Sequence, residues 1–333
     1  MKRVAHILPS MTIGGVEVAT QRAHAALNLE IDYRVFYVRR KGQLECGQEP
    51  IWKLFRYWLH GNWHPDVVIT SLWWAHPLGW LLQVWGASWA AFFHSGGYAH
   101  FLDRLVLQWA WKRATYRLVD SAATDATMNL VAKREARRVP YVFPMTTLSR
   151  SWEARDIDFI WIGRASSVKR IDLLVGFLAL AESYFPKAKA VIAIAGQVPT
   201  DLTEFARKSK WDIDIRQDLP NVDVLAALDR ARFYLLFSDH EGMSMSTVEA
   251  VQAGCVAVVR RVGEIKSYLD ECACISITDD SKKTLDVVAR SVAAMAQDSN
   301  AVENIRKRAL VAMSKIPYYS DALLKALRAM SPS

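Results

Sequence analysis

Arg232–Cys255 reads RFYLLFSDHEGMSMSTVEAVQAGC, and the fold turns on these residues. The apolar run Phe233–Phe237 has the character of a buried strand. A short turn containing Gly242 and two serines follows, and a helix begins at once. A turn of this kind leaves unpaired backbone N–H groups and the positive end of a helix dipole at the strand's carboxyl edge, where phosphates bind well. Glu241 precedes the helix and Glu249 sits inside it, eight residues on. In one continuous helix that spacing would separate them by about 12 Å along the axis. With Glu241 in the loop, both carboxylates reach a single elongated ligand, such as a sugar and a ribose joined through a diphosphate. The spacing by itself fits equally well two glutamates on solvated faces.

The wider pattern is Ser238-x-x-Glu241-Gly242-x6-Glu249-Ala250-x3-Gly254-x3-Val258, and it resembles the signature of the retaining glycosyltransferases of family 4. Upstream, Phe159-Ile-Trp-Ile-Gly163-Arg164-x4-Lys169 is similar to the family's strand–Gly–Arg–x4–Lys phosphate loop. Downstream, Val262-Gly263-Glu264-Ile265 resembles a shortened form of its Gly–x–x–Glu turn. The three blocks lie in register over about Asp156–Leu269, roughly a third of the chain. The resemblance implies an α/β protein of the GT-B fold: two doubly wound Rossmann-like domains facing one another across a cleft.

Site residues follow from the resemblance one by one. It implies that Arg164 and Lys169 hold the donor diphosphate, as fixed cations that stabilise charge on the leaving group. Gly163 opens that loop. Glu249 accepts hydrogen bonds from the donor ribose, and Glu241 faces the transferred sugar. The backbone of Gly242, Met243 and Ser244 caps the distal phosphate, although the family commonly has Gly where this chain has Ser244. In the first half, Gly14 and Gly15 are similar to the family's amino-terminal Gly-Gly loop. His94, at the end of the strand AAFFH, matches a His found near the donor sugar. Arg216 falls in the region that lines the nucleobase. His240 is positional.

Composition agrees with two domains. The chain has 333 residues, 52% of them hydrophobic and 23% charged, which is globular and too long for a single core. Residues 1–150 hold 18 Lys and Arg against 10 Asp and Glu, so the net charge of +8 resides there. Ten of the thirteen Trp lie in the same half. Basic charge with Trp suggests contact with anionic lipid headgroups or an anionic acceptor, while core packing is the expectation for most of these Trp. No nucleic-acid motif accompanies the charge, so a nucleic-acid partner is not expected.

The four cysteines, Cys46, Cys255, Cys272 and Cys274, lack the paired spacing and His partners of a zinc site. The aspartate pairs Asp156/Asp158 and Asp212/Asp214 have metal-binding spacing but sit at strand starts, and are read as solvated. No metal and no cofactor beyond the donor are expected. The start MKRVAHILPSM has no long apolar signal core, so a cytoplasmic location is expected, with peripheral contact at the inner face of a plasma membrane. Leu72–His94 carries no charged residue, yet its Pro and Gly favour a buried helix followed by a core strand over a membrane span.

Strands alternate with helices throughout. The first half predicts strands at Val4–Leu8, Tyr33–Val38, Val67–Ser71, Trp89–Phe93, Val119–Ala123 and Val139–Phe143. Helices are predicted over 15–28, 51–60, 76–87, 101–117 and 125–134. Pro140–Asp156 is the expected linker, separating an acceptor-binding domain, 1–150, from a donor-binding domain, 151–317. The second half predicts strands at Ile157–Ile162, Ala190–Ala195, Asp212–Ile215, Phe233–Phe237, Val256–Val259 and Ile275–Ile277. The helix over 318–330 is expected to cross back to the first domain.

The function expected is a metal-independent, retaining hexosyltransferase. It would move sugar from a nucleotide-diphosphate donor to a glycan or lipid-linked glycan of a bacterial envelope. Two alternatives remain at this stage: a nucleotide-sugar epimerase of the same fold, which needs acid and base groups on both faces of the sugar, and a non-catalytic nucleotide-sugar-binding partner of another transferase.

Overall fold

Short, almost wholly apolar runs build two parallel sheets, each covered on both faces by helices. The computed structural model describes residues 1–10, 15–39, 48–94, 97, 98, 100–145 and 150–330. These divide into one unit, Met1–Phe143 with Pro317–Ser333, and a second, Pro144–Ile316.

In the first unit the order is β1 (Arg3–Ser10), α1 (Gly15–Leu27), β2 (Asp32–Arg39), β3 (Gln48–Pro50), α2 (Ile51–His60), β4 (Val67–Ser71), α3 (His76–Val84), β5 (Ser88–Phe93), α4 (Phe101–Arg113), β6 (Tyr116–Val119), α5 (Ala122–Asn129) and β7 (Arg137–Arg138). The second unit continues with β8 (Ile157–Arg164), a single 3-10 turn (Ser167–Lys169), α6 (Ile171–Ala181), β9 (Lys189–Ala195), α7 (Thr200–Lys208), β10 (Asp212–Gln217), α8 (Asn221–Arg230), β11 (Ala231–Leu236), α9 (Met245–Gln252), β12 (Val256–Val259), α10 (Ile265–Tyr268), β13 (Ile275–Ser276), α11 (Lys282–Ala296) and α12 (Ser299–Met313). The last helix, α13 (Tyr319–Arg328), returns to the first unit, where the Tyr319 N–H donates to the Val142 carbonyl at 2.8 Å.

The first sheet has the order β3-β2-β1-β4-β5-β6-β7 and the second β10-β9-β8-β11-β12-β13, with every pairing parallel. In the second sheet the chain steps outward from β8 to β10, then restarts at β11 and steps the other way. The reversal falls between β8 and β11, and in an open parallel sheet the crevice at such a reversal is where ligands bind. The phosphate-type loop after β8 and the glutamate-bearing turn after β11 therefore flank one switch point.

Two strand expectations fail, for a visible reason. Val119–Ala123 is not a strand: β6 stops at Val119, and Ser121 caps α5 by accepting the Thr124 N–H at 3.1 Å. That cap also moves the start of the helix from 125 to 122. Val139–Phe143 is buried but is not a strand: Val139 donates to the Val119 carbonyl, and Pro140 and Pro144 have no N–H to continue a ladder. The core packing expected of most Trp in the first unit holds for half of them. Trp63, Trp89 and Trp111 are buried and Trp58 and Trp109 pack against the core, while Trp52, Trp74, Trp80 and Trp85 are exposed. Among the described residues no helix is long and apolar enough to cross a membrane, and Leu72–His94 supplies α3 and β5.

The core of the second unit centres on stacked aromatics, with Phe159 and Trp211 ring centroids 5.2 Å apart and nearly coplanar. Below it, Arg155 is fully buried and donates to the carbonyls of Ala231 (2.5 Å) and Ala253 (2.6 Å). Its cation thus closes the carboxyl end of α9, the helix whose other end forms the site.

The first unit holds two fully buried imidazoles, His6 and His76, and a partly buried one, His94. His6 contacts the Tyr33 and Ser71 hydroxyls at 2.5 and 2.7 Å, and His76 Nδ1 contacts Thr70 Oγ1 at 2.8 Å. Burial pushes both pKa values down to about 3, and His94 is lowered in the same way, further assisted by His6 and His76. The unfolded chain takes up protons near pH 6.5, whereas the folded one resists until far lower pH. Stability is therefore complete above that pH and is lost on acidification, approaching about 1.4 kcal/mol per pH unit for each imidazole. The urea midpoint should fall steeply between pH 7.5 and pH 5, and His76→Gln should lower that slope by about one proton. A midpoint independent of pH over this range would contradict the assignment.

Candidate functional site in the second unit

The site is assembled from two strand ends. β8 ends at Gly163-Arg164, and the 3-10 turn that follows presents Lys169. β11 ends at Leu236, and residues 237–244 lead into α9. The Lys169 ammonium donates to Glu241 Oε1 at 2.6 Å, so residues 72 apart in sequence form one ion pair across the switch point. Both side chains are largely buried, at 21% and 10% exposure, which limits solvent screening of the pair.

Backbone contacts fix the two loops to each other. The Asp239 N–H donates to the Val168 carbonyl at 2.9 Å. Asp239 also accepts from Arg170 (3.3 Å) and from Arg260, and both arginines reach Asp280, at 2.7 and 3.3 Å. This clamp had no local sequence signal, because its four members are spread over 110 residues. A third turn presses on the glutamate from below. Gly263 has φ +57°, and a Cβ there would lie 1.9 Å from the Glu241 carbonyl oxygen. The backbone of Val262–Glu264 can approach Glu241 this closely only because residue 263 is glycine.

α9 begins at an unusual cap. Ser244 has φ 55° and ψ 74°, the left-handed region that favours glycine, and its hydroxyl contacts Thr247 Oγ1 at 2.8 Å. A non-glycine residue held in this conformation costs about 1–3 kcal/mol. Holding it there directs the N–H groups at the start of α9 toward the strand end. Met243 is buried, and its carbonyl accepts from the Tyr268 hydroxyl at 2.9 Å. The Gly242 carbonyl accepts from the Glu264 N–H at 3.2 Å. Glu249, one turn into α9, is 4% exposed.

Tyr234 lies within electrostatic reach of both carboxylates. Its hydroxyl contacts Ser246 Oγ at 2.7 Å, and its pKa is raised, first by burial and further by the nearby charges of Glu241 and Glu249. Arg164 is exposed at the end of β8 and makes no ion pair among the described residues. Gly163 keeps the surface between Arg164 and Lys169 low, since a Cβ there would meet Trp161 at 3.1 Å and the Lys169 side chain at 3.6 Å. Two further groups went unrecognised as site residues in the sequence. Trp161 Nε1 and Ser238 Oγ are both buried without a hydrogen-bond partner among the described residues.

Arg216 is placed differently from its expectation. It lies within β10, the edge strand two places from β8, where it forms an ion pair with Asp214 at 2.7 Å. The aspartates with metal-like spacing are also engaged: Asp156 with Arg230, Asp158 with Arg232 and Asp212 with Lys189.

The first unit carries its own strand-end group. His94 follows β5; its Nδ1 contacts the Tyr141 hydroxyl at 2.6 Å, and its Nε2 is buried without a partner among the described residues. Tyr141 stacks on Tyr319 of α13 at 5.3 Å, so the last helix packs beneath the imidazole. Because burial depresses its pKa, this His is neutral at neutral pH. Gly15 opens α1, and a Cβ there would meet nothing within 4 Å. Gly14 lies outside the described residues.

Residues 156–298 match the model of the family Glycosyl transferases group 1. No curated protein matches the chain. Among solved structures, the sucrose-phosphate synthase from Thermosynechococcus elongatus is similar, with a TM-score of 0.77 at 14% identity over 98% of each chain. HepE of Anabaena, solved in complex with UDP-glucose, has a TM-score of 0.77 at 13% identity, over 99% of this chain and 100% of that one. WaaG, a glycosyltransferase involved in lipopolysaccharide biosynthesis, has a TM-score of 0.68 at 17% identity, over 97% and 98%. The likeness to these structures establishes the two-domain GT-B fold. The family match, over residues 156–298, is the finding that bears on glycosyl transfer.

Proposed function

We propose that the chain is a retaining glycosyltransferase that takes sugar from a nucleotide-diphosphate donor and works without a metal ion. The observation that carries this reading is the Lys169–Glu241 pair at the β8/β11 switch point, beside the start of α9. An arriving diphosphate meets Arg164, Lys169 and the N–H groups of that helix, which neutralise it without a divalent cation. Glu249 accepts from the ribose hydroxyls and Glu241 from the sugar. The bond from the sugar's anomeric carbon to the phosphate oxygen breaks through an oxocarbenium-like state. The acceptor oxygen bonds to the same face, and its proton passes to the departing phosphate.

The acceptor in this reading is a glycan or lipid-linked glycan of a bacterial envelope, reached from the cytoplasmic face of the membrane. HepE in complex with UDP-glucose makes UDP-sugars the first donors to test, followed by GDP- and ADP-sugars. One donor of this panel should release nucleotide diphosphate, and release should accelerate with a glycan acceptor and need no divalent ion. Interconversion of the sugar with the diphosphate bond intact would indicate an epimerase. Failure of every donor to bind would overturn the reading.

A further inference from the structure

We propose that one face of the first unit, made by α2, α3 and α4, docks on an anionic lipid bilayer surface. These helices connect β3 to β4, β4 to β5 and β5 to β6, which all step the same way across the sheet. Right-handed crossovers place them side by side on a single face. Their contacts agree, for Trp85 at the end of α3 packs against Phe55 and Trp58 of α2, and Trp80 of α3 packs against Trp109 of α4.

Each helix has an inner apolar face in the core and a second apolar face that is exposed among the described residues. On α2, Leu54 is buried while Trp52 and Leu59, seven positions apart on the opposite side, are 55% and 78% exposed. On α3, Leu82 is buried while Trp80 and Val84 are exposed. On α4, Ala110 and Trp111 are buried while Leu102 and Leu105 are exposed. A helix needs only one apolar stripe to join a core. Three adjacent helices that each carry a second stripe make an apolar surface of the kind that marks an interaction site.

Charge selects the partner. The only acidic residue on the three helices is Asp103, and it is buried. Arg56, Arg104, Lys112 and Arg113 are exposed among and beside the apolar side chains. Glu49, just before α2, is paired with Lys53 at 3.1 Å. Trp and Leu set among basic side chains on helices with no exposed acid match the interfacial zone of a membrane with anionic headgroups. A protein partner or second copy would have to bring a matching apolar, acidic face, and this chain's exposed acids lie elsewhere. The inference rests on the proposed function only in making the acceptor lipid-linked. The test needs neither nucleotide nor turnover, so the two fail separately.

The experiment is flotation of the full chain with phosphatidylcholine vesicles, with and without phosphatidylglycerol, at low and high salt. The chain should float with the anionic vesicles at low salt, and neutralising each of Arg56, Arg104 and Lys112 to Gln should cut partitioning by about fivefold. The combination Trp52→Ser, Leu59→Ser, Val84→Ser and Leu105→Ser alters only exposed side chains. It should lower flotation by about tenfold or more while circular dichroism and the urea midpoint stay unchanged. The proposal is overturned if the parent chain does not float with anionic vesicles at low salt. It is equally overturned if the fourfold variant floats as well as the parent, or if the parent is a dimer in solution that the fourfold variant turns into monomer.

Discussion

Replacing Arg164 or Lys169 by Ala lowers turnover by about 10²–10³, while affinity for the nucleotide diphosphate falls by no more than about tenfold. The asymmetry follows from the resting state of Lys169. Its ammonium is already held by Glu241 at 2.6 Å, so a ground-state phosphate exchanges one anionic partner for another and gains little. When the glycosidic bond breaks, negative charge grows on the phosphate but not on Glu241, and the lysine's attraction shifts toward the leaving group. Arg164, exposed at the strand end, adds a second fixed cation. Steady-state kinetics and calorimetry on the same variants separate the two effects. Equal losses in turnover and in affinity would assign both cations to ground-state binding.

Arg155→Met destabilises the second unit by about 3–5 kcal/mol, although the residue lies at the far end of α9 from the phosphate site. The methionine fills much of the same space but takes the guanidinium donor from the Ala231 and Ala253 carbonyls in a buried setting, with the weak Cys255 thiol, 3.4 Å from the Ala231 carbonyl, as a poor substitute. Neighbouring Arg306 donates to the Gly254 carbonyl at 2.8 Å, not to these two. Gly254 has φ +80°, and a Cβ there would fall 2.6 and 2.9 Å from the two guanidinium groups, so the packing leaves no slack for rearrangement. Urea unfolding followed by hydrogen exchange in β8 and β11 reads the loss where it occurs. A change below about 1 kcal/mol would show that the carbonyls find water instead.

The sheet of the second unit was legible because its strands are short apolar runs bounded by turns, as in Phe233–Phe237 and Val256–Val259. The turn at Gly242–Ser244 was legible for the same reason. The failures are of two kinds. Val119–Ala123 mixes Val119 and two alanines with Asp120 and Ser121, and the Ser121 cap decides the local backbone. The Lys169–Glu241 pair and the Asp239 clamp join positions far apart in the chain, and only the parallel order of β8 and β11 brings them together. Arg216 was placed by analogy, and its engagement with Asp214 depends on the edge position of β10, which a single sequence does not display. The exposure of Trp52, Trp80 and Trp85 was likewise hidden, because composition counts residues and does not report which way a helix turns them.

The central claim is that the second unit grips a nucleotide diphosphate with Glu249 on the ribose. Calorimetric titration of the parent chain and Glu249→Ala with the preferred nucleotide diphosphate and its 2′,3′-dideoxy form tests it most directly. Removing the hydroxyls should weaken binding to the parent by about 10–100-fold and should leave binding to Glu249→Ala nearly unchanged. Equal weakening of the two proteins, or no binding of any nucleotide diphosphate to the parent, would contradict it.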